Sequence, residues 1–211
     1  MVFPHLTSNP WVYPPQEDTW FMVDVLEDEL NYNIANNSRS ILVCEIGVGC
    51  GFISIVLANK FPMIHFIGTD ISLQASRLGY KNMSDHLLRD QHDLICMDLL
   101  QAFNPIKFRP DIIFFNPPYV RSGLEEMNKG FLEKSWAGGP KGITVIQKFL
   151  KELTRFTFKK AIFLSSNYNE NEELEIDFSD TFHFRVISQR KIENERLICY
   201  EIQKNEFLKT V

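Results

Sequence analysis

The feature that most constrains this chain is an alternation. Short apolar runs, most of them stopping at a Gly, Asp or Asn, are separated by stretches with helical spacing. The spacing predicts strands at Ile41–Ile46, Ile64–Ile71, Asp93–Asp98, Asp111–Asn116 and Lys160–Ser165. Between them, helices are expected at Phe52–Lys60, Leu73–Met83 and Ile143–Phe158. Ile143, Ile146, Leu150 and Leu153 fall on one face of the last. An opening helix over Glu17 to Tyr32 repeats Trp20, Val23, Leu26 and Leu30, with Glu17 and Asp18 suited to the positive end of its dipole. A weak acidic helix is expected near Glu170–Asp177. Phe182–Arg190 and Arg196–Gln203, rich in β-formers, predict a terminal hairpin about Glu193–Glu195. Such an order implies an α/β fold: a mostly parallel sheet covered on both faces, finished by an antiparallel hairpin. Ligands of such sheets bind beyond the carboxyl ends of the strands, so the useful residues should lie there.

With 211 residues and neither repeats nor Gly/Ser-rich linkers, one domain over residues 1–211 is expected, with residues 1–16 an irregular lead-in rich in Pro and aromatics. The formal net charge of -5 disfavours direct nucleic-acid binding, because neutralising phosphates needs Lys and Arg. Cys44, Cys50, Cys96 and Cys199 form no C-x-x-C pair and have no His at zinc spacing, so no metal site is expected. Cys44, Cys96 and Cys199 fall inside apolar strands and read as buried reduced thiols, which suits a reducing compartment. Neither a signal peptide nor a membrane-length apolar stretch is visible, so no membrane is expected and a cytoplasmic location, with a nuclear pool, is.

After the first strand stands Glu45-Ile46-Gly47-Val48-Gly49-Cys50-Gly51. The third glycine comes one residue too early for the dinucleotide G-x-G-x-x-G. A turn demanding positive φ would explain such glycines without any ligand. They also give a backbone close access to a phosphate-free nucleoside ligand such as S-adenosylmethionine. Asp70, ending the second strand, can accept from both ribose hydroxyls. Asp98, just past the third, can accept from an adenine amino group with Leu99 beside the ring. Directly after the fourth strand comes Asn116-Pro117-Pro118-Tyr119. The Asn116 side-chain oxygen and the Pro117 carbonyl can take the two hydrogens of a planar nitrogen. They would hold it in line with a methyl donor and stabilise charge developing on it. The prolines stiffen the loop, and Tyr119 can stack on a flat group. This string resembles the N-P-P-Y motif of amino-methyltransferases, whose acceptors are a glutamine amide or the exocyclic amine of a nucleobase; the motif alone does not choose between them.

Two further strings narrow the resemblance. Tyr13-Pro14-Pro15-Gln16-Glu17-Asp18-Thr19-Trp20 and Trp136-Ala137-Gly138-Gly139-Pro140-Lys141-Gly142 resemble segments of the eukaryotic and archaeal HemK-type protein-glutamine methyltransferases, in that family's order. The resemblance spans Tyr13 to about Gly142; the last third carries no motif. It implies a Rossmann-like, seven-stranded class I methyltransferase fold and S-adenosylmethionine as cofactor. Thr19, Glu45, Gly47, Gly49, Gly51, Asp70, Asp98, Leu99 and Asn116 are the implied cofactor contacts. Asn116, Pro117, Pro118 and Tyr119 form the implied substrate site, with Asn116, Pro117 and Tyr119 catalytic. The implied substrate is the glutamine of the G-G-Q tripeptide of a class I release factor. The implied partner is a small zinc-containing activator protein, forming a heterodimer. In that sheet order the third strand is an edge, and Leu94-Ile95-Cys96-Met97 lacks internal charge or Pro, so the activator is expected to cover it. Adenine or histone-lysine methylation at the same N-P-P-Y centre is the alternative. Little room exists for a helix across residues 100–110, and the polar loop Arg121–Ser135 is left without an assigned structure.

Overall fold

The computed structural model describes residues 4–35 and 40–205. It falls into two compact units, divided between Ala102 and Phe103. Residues 4–16 carry no helix or strand.

In the first unit the order is α1 (Glu17–Ala35), β1 (Ile41–Ile46), α2 (Phe52–Lys60), β2 (Ile64–Asp70), α3 (Leu73–Asp85), a single 3-10 turn at Arg89–Gln91, and β3 (His92–Cys96). β1 pairs with β2 in parallel from Ile41↔Ile64 to Ile46↔Thr69, and β2 with β3 from Phe66↔His92 to Asp70↔Cys96. β1 is apolar almost throughout because it is covered on both faces. α2 is buried almost all round, at Phe52, Ile53, Ile55, Leu57 and Ala58. α1 buries Met22, Leu26 and Leu30, spaced one helical turn apart. Trp20 meets Phe52 edge-on, with centroids 4.6 Å apart, and so fixes the first turn of α1 against the start of α2. α3 begins where the Ser72 hydroxyl accepts from the Ala75 N–H at 3.3 Å, an N-cap that stops β2's extended backbone from running on.

The second unit runs β4 (Ile112–Phe115), α4 (Leu124–Asn128), α5 (Phe131–Lys134), α6 (Thr144–Leu153), β5 (Lys160–Ser166), α7 (Asn171–Phe178), β6 (Phe182–Ile192) and β7 (Glu195–Lys204). β4 and β5 are parallel; β7 pairs antiparallel with both β5 and β6. α6 buries Ile146, Phe149, Leu150 and Leu153. On β7, Glu201 is buried between Lys160 of β5 at 2.8 Å and Arg185 of β6 at 3.0 Å. Burial alone would raise its carboxyl, but the two cations hold it below the ordinary value.

The strands form one seven-stranded sheet in the order β3-β2-β1-β4-β5-β7-β6, so the mixed α/β architecture and its terminal hairpin are as the sequence implied. β3 and β6 are the edges. β6 is defended: it carries Arg185, Arg190 and Lys191 and a bulge between Val186 and Ser188. β3 is defended only by Asp93, which lies inside the strand and pairs with His65 of β2 at 2.8 Å. The strand begins at His92, one residue before the expected Asp93, which places that charge inside it. Ile95 and Cys96 beyond it are exposed, so Cys96 is not the buried thiol expected, although Cys44 and Cys199 are buried. The strand also ends two residues early, at Cys96. Met97 still donates to the Asp70 carbonyl at 2.9 Å, and the chain then turns away. No helix follows among residues 100–110, as expected. The expected helix Ile143–Phe158 stops at Leu153. Phe156 and Phe158 are buried from a turn, not a helix, and their burial prolongs the apolar pattern. The loop Arg121–Ser135 holds the short helices α4 and α5. No described helix is long and apolar enough to cross a membrane.

Candidate active site

In the first unit the predicted residues converge just past the carboxyl ends of β1, β2 and β3. Gly47, Gly49 and Gly51 take φ of 70°, 58° and 83°, so every second residue of the turn is left-handed, which accounts for the spacing of the glycines. The turn is tied to β2: Gly47 and Val48 donate to the Thr69 carbonyl at 2.7 and 3.1 Å. Asp70 braces it from below. One carboxylate oxygen accepts from the Gly49 N–H at 2.9 Å and the other from the Ser72 N–H at 2.8 Å. Burial raises the Asp70 carboxyl above its usual range while these two bonds oppose the rise. A carboxylate has about four acceptor sites, so two remain for ligand hydroxyls. A Cβ on Gly49 would meet nothing within 4 Å, so the turn leaves open space where a ligand can approach the backbone.

Glu45 is buried at the end of β1, where the Ser54 hydroxyl of α2 donates to its carboxylate. Burial, with a smaller contribution from Asp70, lifts it from 4.5 to about 8 against the effect of Ser54. Leu99, past β3, is buried at φ 48°, a left-handed backbone that a leucine adopts only at a cost of roughly 1–2 kcal/mol. Asp98 beside it is half-buried. Thr19 sits in the first turn of α1, where its hydroxyl accepts from Gln16 N–H at 3.2 Å and contacts Asp18 at 3.3 Å. Sequence reasoning missed Ser54, Ser72 and Asn82. Ser72 carries the signal of an N-cap before a helix. Asn82 carries none. It is buried on α3, accepts from Thr7 N–H at 2.9 Å, and donates to the carbonyls of Thr7 at 3.2 Å and Cys50 at 2.9 Å. It thereby binds the irregular lead-in to the glycine turn. Burial pushes the Cys50 thiol up to about 11, so it is no nucleophile.

In the second unit Asn116 is half-buried at the end of β4, and Pro117 and Tyr119 are buried behind it. The following backbone forms a miniature ladder with the Trp136–Gly142 segment. Val120 N–H donates to the Trp136 carbonyl at 2.9 Å, Gly138 N–H to Val120 at 2.7 Å, and Ser122 N–H to Gly139 at 3.0 Å. A Cβ on Gly138 would stand 2.8 Å from the Tyr119 carbonyl carbon and 2.9 Å from Pro118 O, so only glycine admits this approach. The two strings singled out from the sequence thus form one rigid substructure. Beyond β5, a cleft of about 830 Å³ runs along α7, walled by Asn169, Glu172, Glu175, Ile198 and Tyr200. Among the described residues no group of His, Cys, Asp and Glu could hold a metal ion.

Parallel strands closing on a glycine turn, with an acidic residue ending the second strand, define a class I S-adenosylmethionine-dependent methyltransferase domain. The likeness to the N-terminal domain of human METTL16, solved in complex with SAH, agrees on the fold: TM-score 0.67 at 12% identity, over 94% of this chain and 75% of that one. Residues 20–137 match the model of the methyltransferase small domain. The chain belongs to that family and, within it, to the HemK-type enzymes. It is 28% identical to mouse methyltransferase HEMK2 over 89% of this chain and 83% of that protein. It is 32% identical to the eRF1 methyltransferase catalytic subunit mtq2 of Schizosaccharomyces pombe, over 72% of this chain and 70% of that one.

Proposed function

We propose that this enzyme methylates the side-chain amide nitrogen of the glutamine in the G-G-Q tripeptide of a class I release factor. It works as a single methyltransferase domain and as the catalytic subunit of a heterodimer, in the cytoplasm where termination occurs. The observation that carries the reading is Asn116-Pro117-Pro118-Tyr119 at the end of β4, locked by its ladder to Trp136–Gly142. The named relatives support the choice of an eRF1-type substrate.

The residues fit S-adenosylmethionine: the open space at Gly49, the spare acceptor capacity of Asp70, and the left-handed Leu99 suit a nucleoside without phosphates. Gly47, Gly49 and Gly51 admit the amino-acid part, Asp70 takes the ribose hydroxyls, and Asp98 with Leu99 takes the adenine. Glu45, Thr19 and Asn116 complete the cofactor contacts. When bound, the cofactor supplies an electrophilic methyl group on a sulfonium. The chain's own contribution is positional and electrostatic. An amide nitrogen is a poor nucleophile because its lone pair is delocalised into the carbonyl. Asn116 Oδ1 and the Pro117 carbonyl each accept one N–H of the substrate, fix the nitrogen, and stabilise the positive charge that grows there. Tyr119 and Pro118 hold the flat amide in place, and the released proton goes to solvent.

The partner is a small zinc-containing activator seated on the β3 edge around Leu94–Met97. Ile95 and Cys96 are exposed there, and a strand added to that edge would complete its ladder. The net charge of -5 counts against nucleic acid as substrate. The deciding assay offers release factor, duplex DNA and RNA side by side, with and without the activator. Methyl transfer to the release factor, stimulated by the activator, is expected; transfer confined to a nucleic acid would overturn the proposal.

A further inference from the structure

The last third of the chain carries no recognised motif, yet the loop after β5 presses on the reaction loop. We infer that Asn169 is a positioning residue for the Asn116–Tyr119 segment, acting through Gly142; this rests on the reading of that segment as the reaction loop. Asn169 is nine-tenths buried, at 9% exposure. Its Nδ2 donates to Ser165 Oγ at 3.0 Å, and its backbone N–H to the Ser166 carbonyl at 3.1 Å. Ser165 in turn donates to Asn171 Oδ1 at 2.6 Å, and Asn171 Nδ2 donates to the Ser166 carbonyl at 2.8 Å. The end of β5 therefore holds the Asn169 carboxamide rigidly in one orientation.

Asn169 Oδ1, by contrast, meets no hydrogen-bond donor among the described residues. A buried acceptor left in that state is uncommon and calls for a reason. It is aimed at Gly142. A Cβ built on Gly142 would overlap Asn169 Oδ1 and stand 2.7 Å from the Tyr119 carbonyl oxygen. Glycine instead places a Cα–H there, which can make a weak C–H···O contact with Oδ1. Gly142 sits at φ 72°, so a side chain would also be strained by its backbone. Gly142 is thus pinched between Asn169 and Tyr119, and it forms the wall against which the reaction loop rests. Neighbouring bonds reinforce the clamp: Glu170 N–H donates to the Lys141 carbonyl at 3.3 Å, and the Glu170 carboxylate reaches Lys141 at 3.4 Å and Arg121 at 3.6 Å. The S-S-N-Y-N-E-N stretch from Ser165 to Asn171 is a brace that sets where Tyr119, and hence Asn116, can stand.

The test is Asn169→Ala beside Gly142→Ala, with three readouts: turnover on a release-factor substrate, cofactor affinity by calorimetry, and amide hydrogen exchange. Both variants should lose roughly 10- to 100-fold in kcat, the scale of a small misplacement at the reacting centre. Cofactor affinity should stay within about twofold of wild type, and exchange should quicken at Val120 and Gly138 but not within β5. Thermal unfolding identifies a variant that does not fold; Asn169→Ser then carries the same measurements. Turnover within about twofold of wild type, or a loss matched by an equal loss of cofactor affinity, overturns the inference. If the wild type itself transfers no methyl to the glutamine, the proposed function falls. The exchange measurement still decides the role of Asn169: unchanged protection at Val120 and Gly138 refutes it.

Discussion

Glu45 makes the stability of this enzyme depend on pH in an unusual direction. Its carboxyl is buried at the end of β1 and lifted from 4.5 to about 8. The folded chain therefore holds a proton that the unfolded chain releases above about pH 4.5. This contribution is fully present below the unfolded value and is lost as pH rises through about 8. Each pH unit of displacement corresponds to ~1.4 kcal/mol, so the loss across the whole interval is at most roughly 5 kcal/mol. Glu45→Gln keeps an acceptor for Ser54 and removes the titration. Denaturant unfolding of both proteins between about pH 5 and about pH 9 cancels every other titrating group. The stability of wild type relative to the Gln variant should fall by up to ~1.4 kcal/mol per pH unit, then level off above about pH 8. A difference that stays constant across this range would mean that Glu45 does not titrate there. If Glu45 also faces a cationic part of the cofactor, binding near neutral pH should release a proton, visible as a dependence of calorimetric heat on buffer.

Asn116→Ala should lower kcat by ~10²–10³ while leaving thermal stability near wild type; near-normal turnover at saturating cofactor would remove Asn116 from its proposed role. Asp70→Ala should weaken S-adenosylmethionine binding. It should also destabilise the fold by about 1.5–3 kcal/mol, because the Gly49 and Ser72 N–H groups lose a charged acceptor. Calorimetry and unfolding measure the two separately, and an unchanged affinity would reduce Asp70 to a brace. Ile95→Lys places a charge on the open β3 edge, so it should abolish activator binding, seen by co-purification, and improve solubility of the lone chain. A complex that forms undiminished would mean that the activator covers another surface.

Much of the sheet was legible because parallel strands covered on both faces read as uninterrupted apolar runs. β1 and α2 match their expected limits, and β4 and β5 do so to within a residue. Misreadings arose where burial and periodicity part company. Phe156 and Phe158 are buried from a turn and imitated a continuation of α6 beyond Leu153. Cys96 was read as buried from its apolar run even though the resemblance makes β3 an edge, and it is exposed: an apolar run does not say whether a neighbour covers it. The glycine turn and the N-P-P-Y string were visible because backbone geometry there tolerates few residue types. What supports them was not visible. Asn82 reaches Thr7 across 75 residues and Cys50 across 32, and Asn169 reaches Gly142 only after β5 has brought them together. Such pairings leave no local pattern, because a lone Asn in a polar stretch has many uses.

The most direct test of the central claim is to incubate the enzyme with its activator, S-adenosylmethionine and a class I release factor, then locate the added methyl by fragmentation mass spectrometry. One methyl is expected on the side-chain amide of the G-G-Q glutamine, appearing ~10²–10³-fold more slowly with Asn116→Ala. A methyl on lysine, or on no residue of the release factor while a nucleobase becomes methylated, would contradict it.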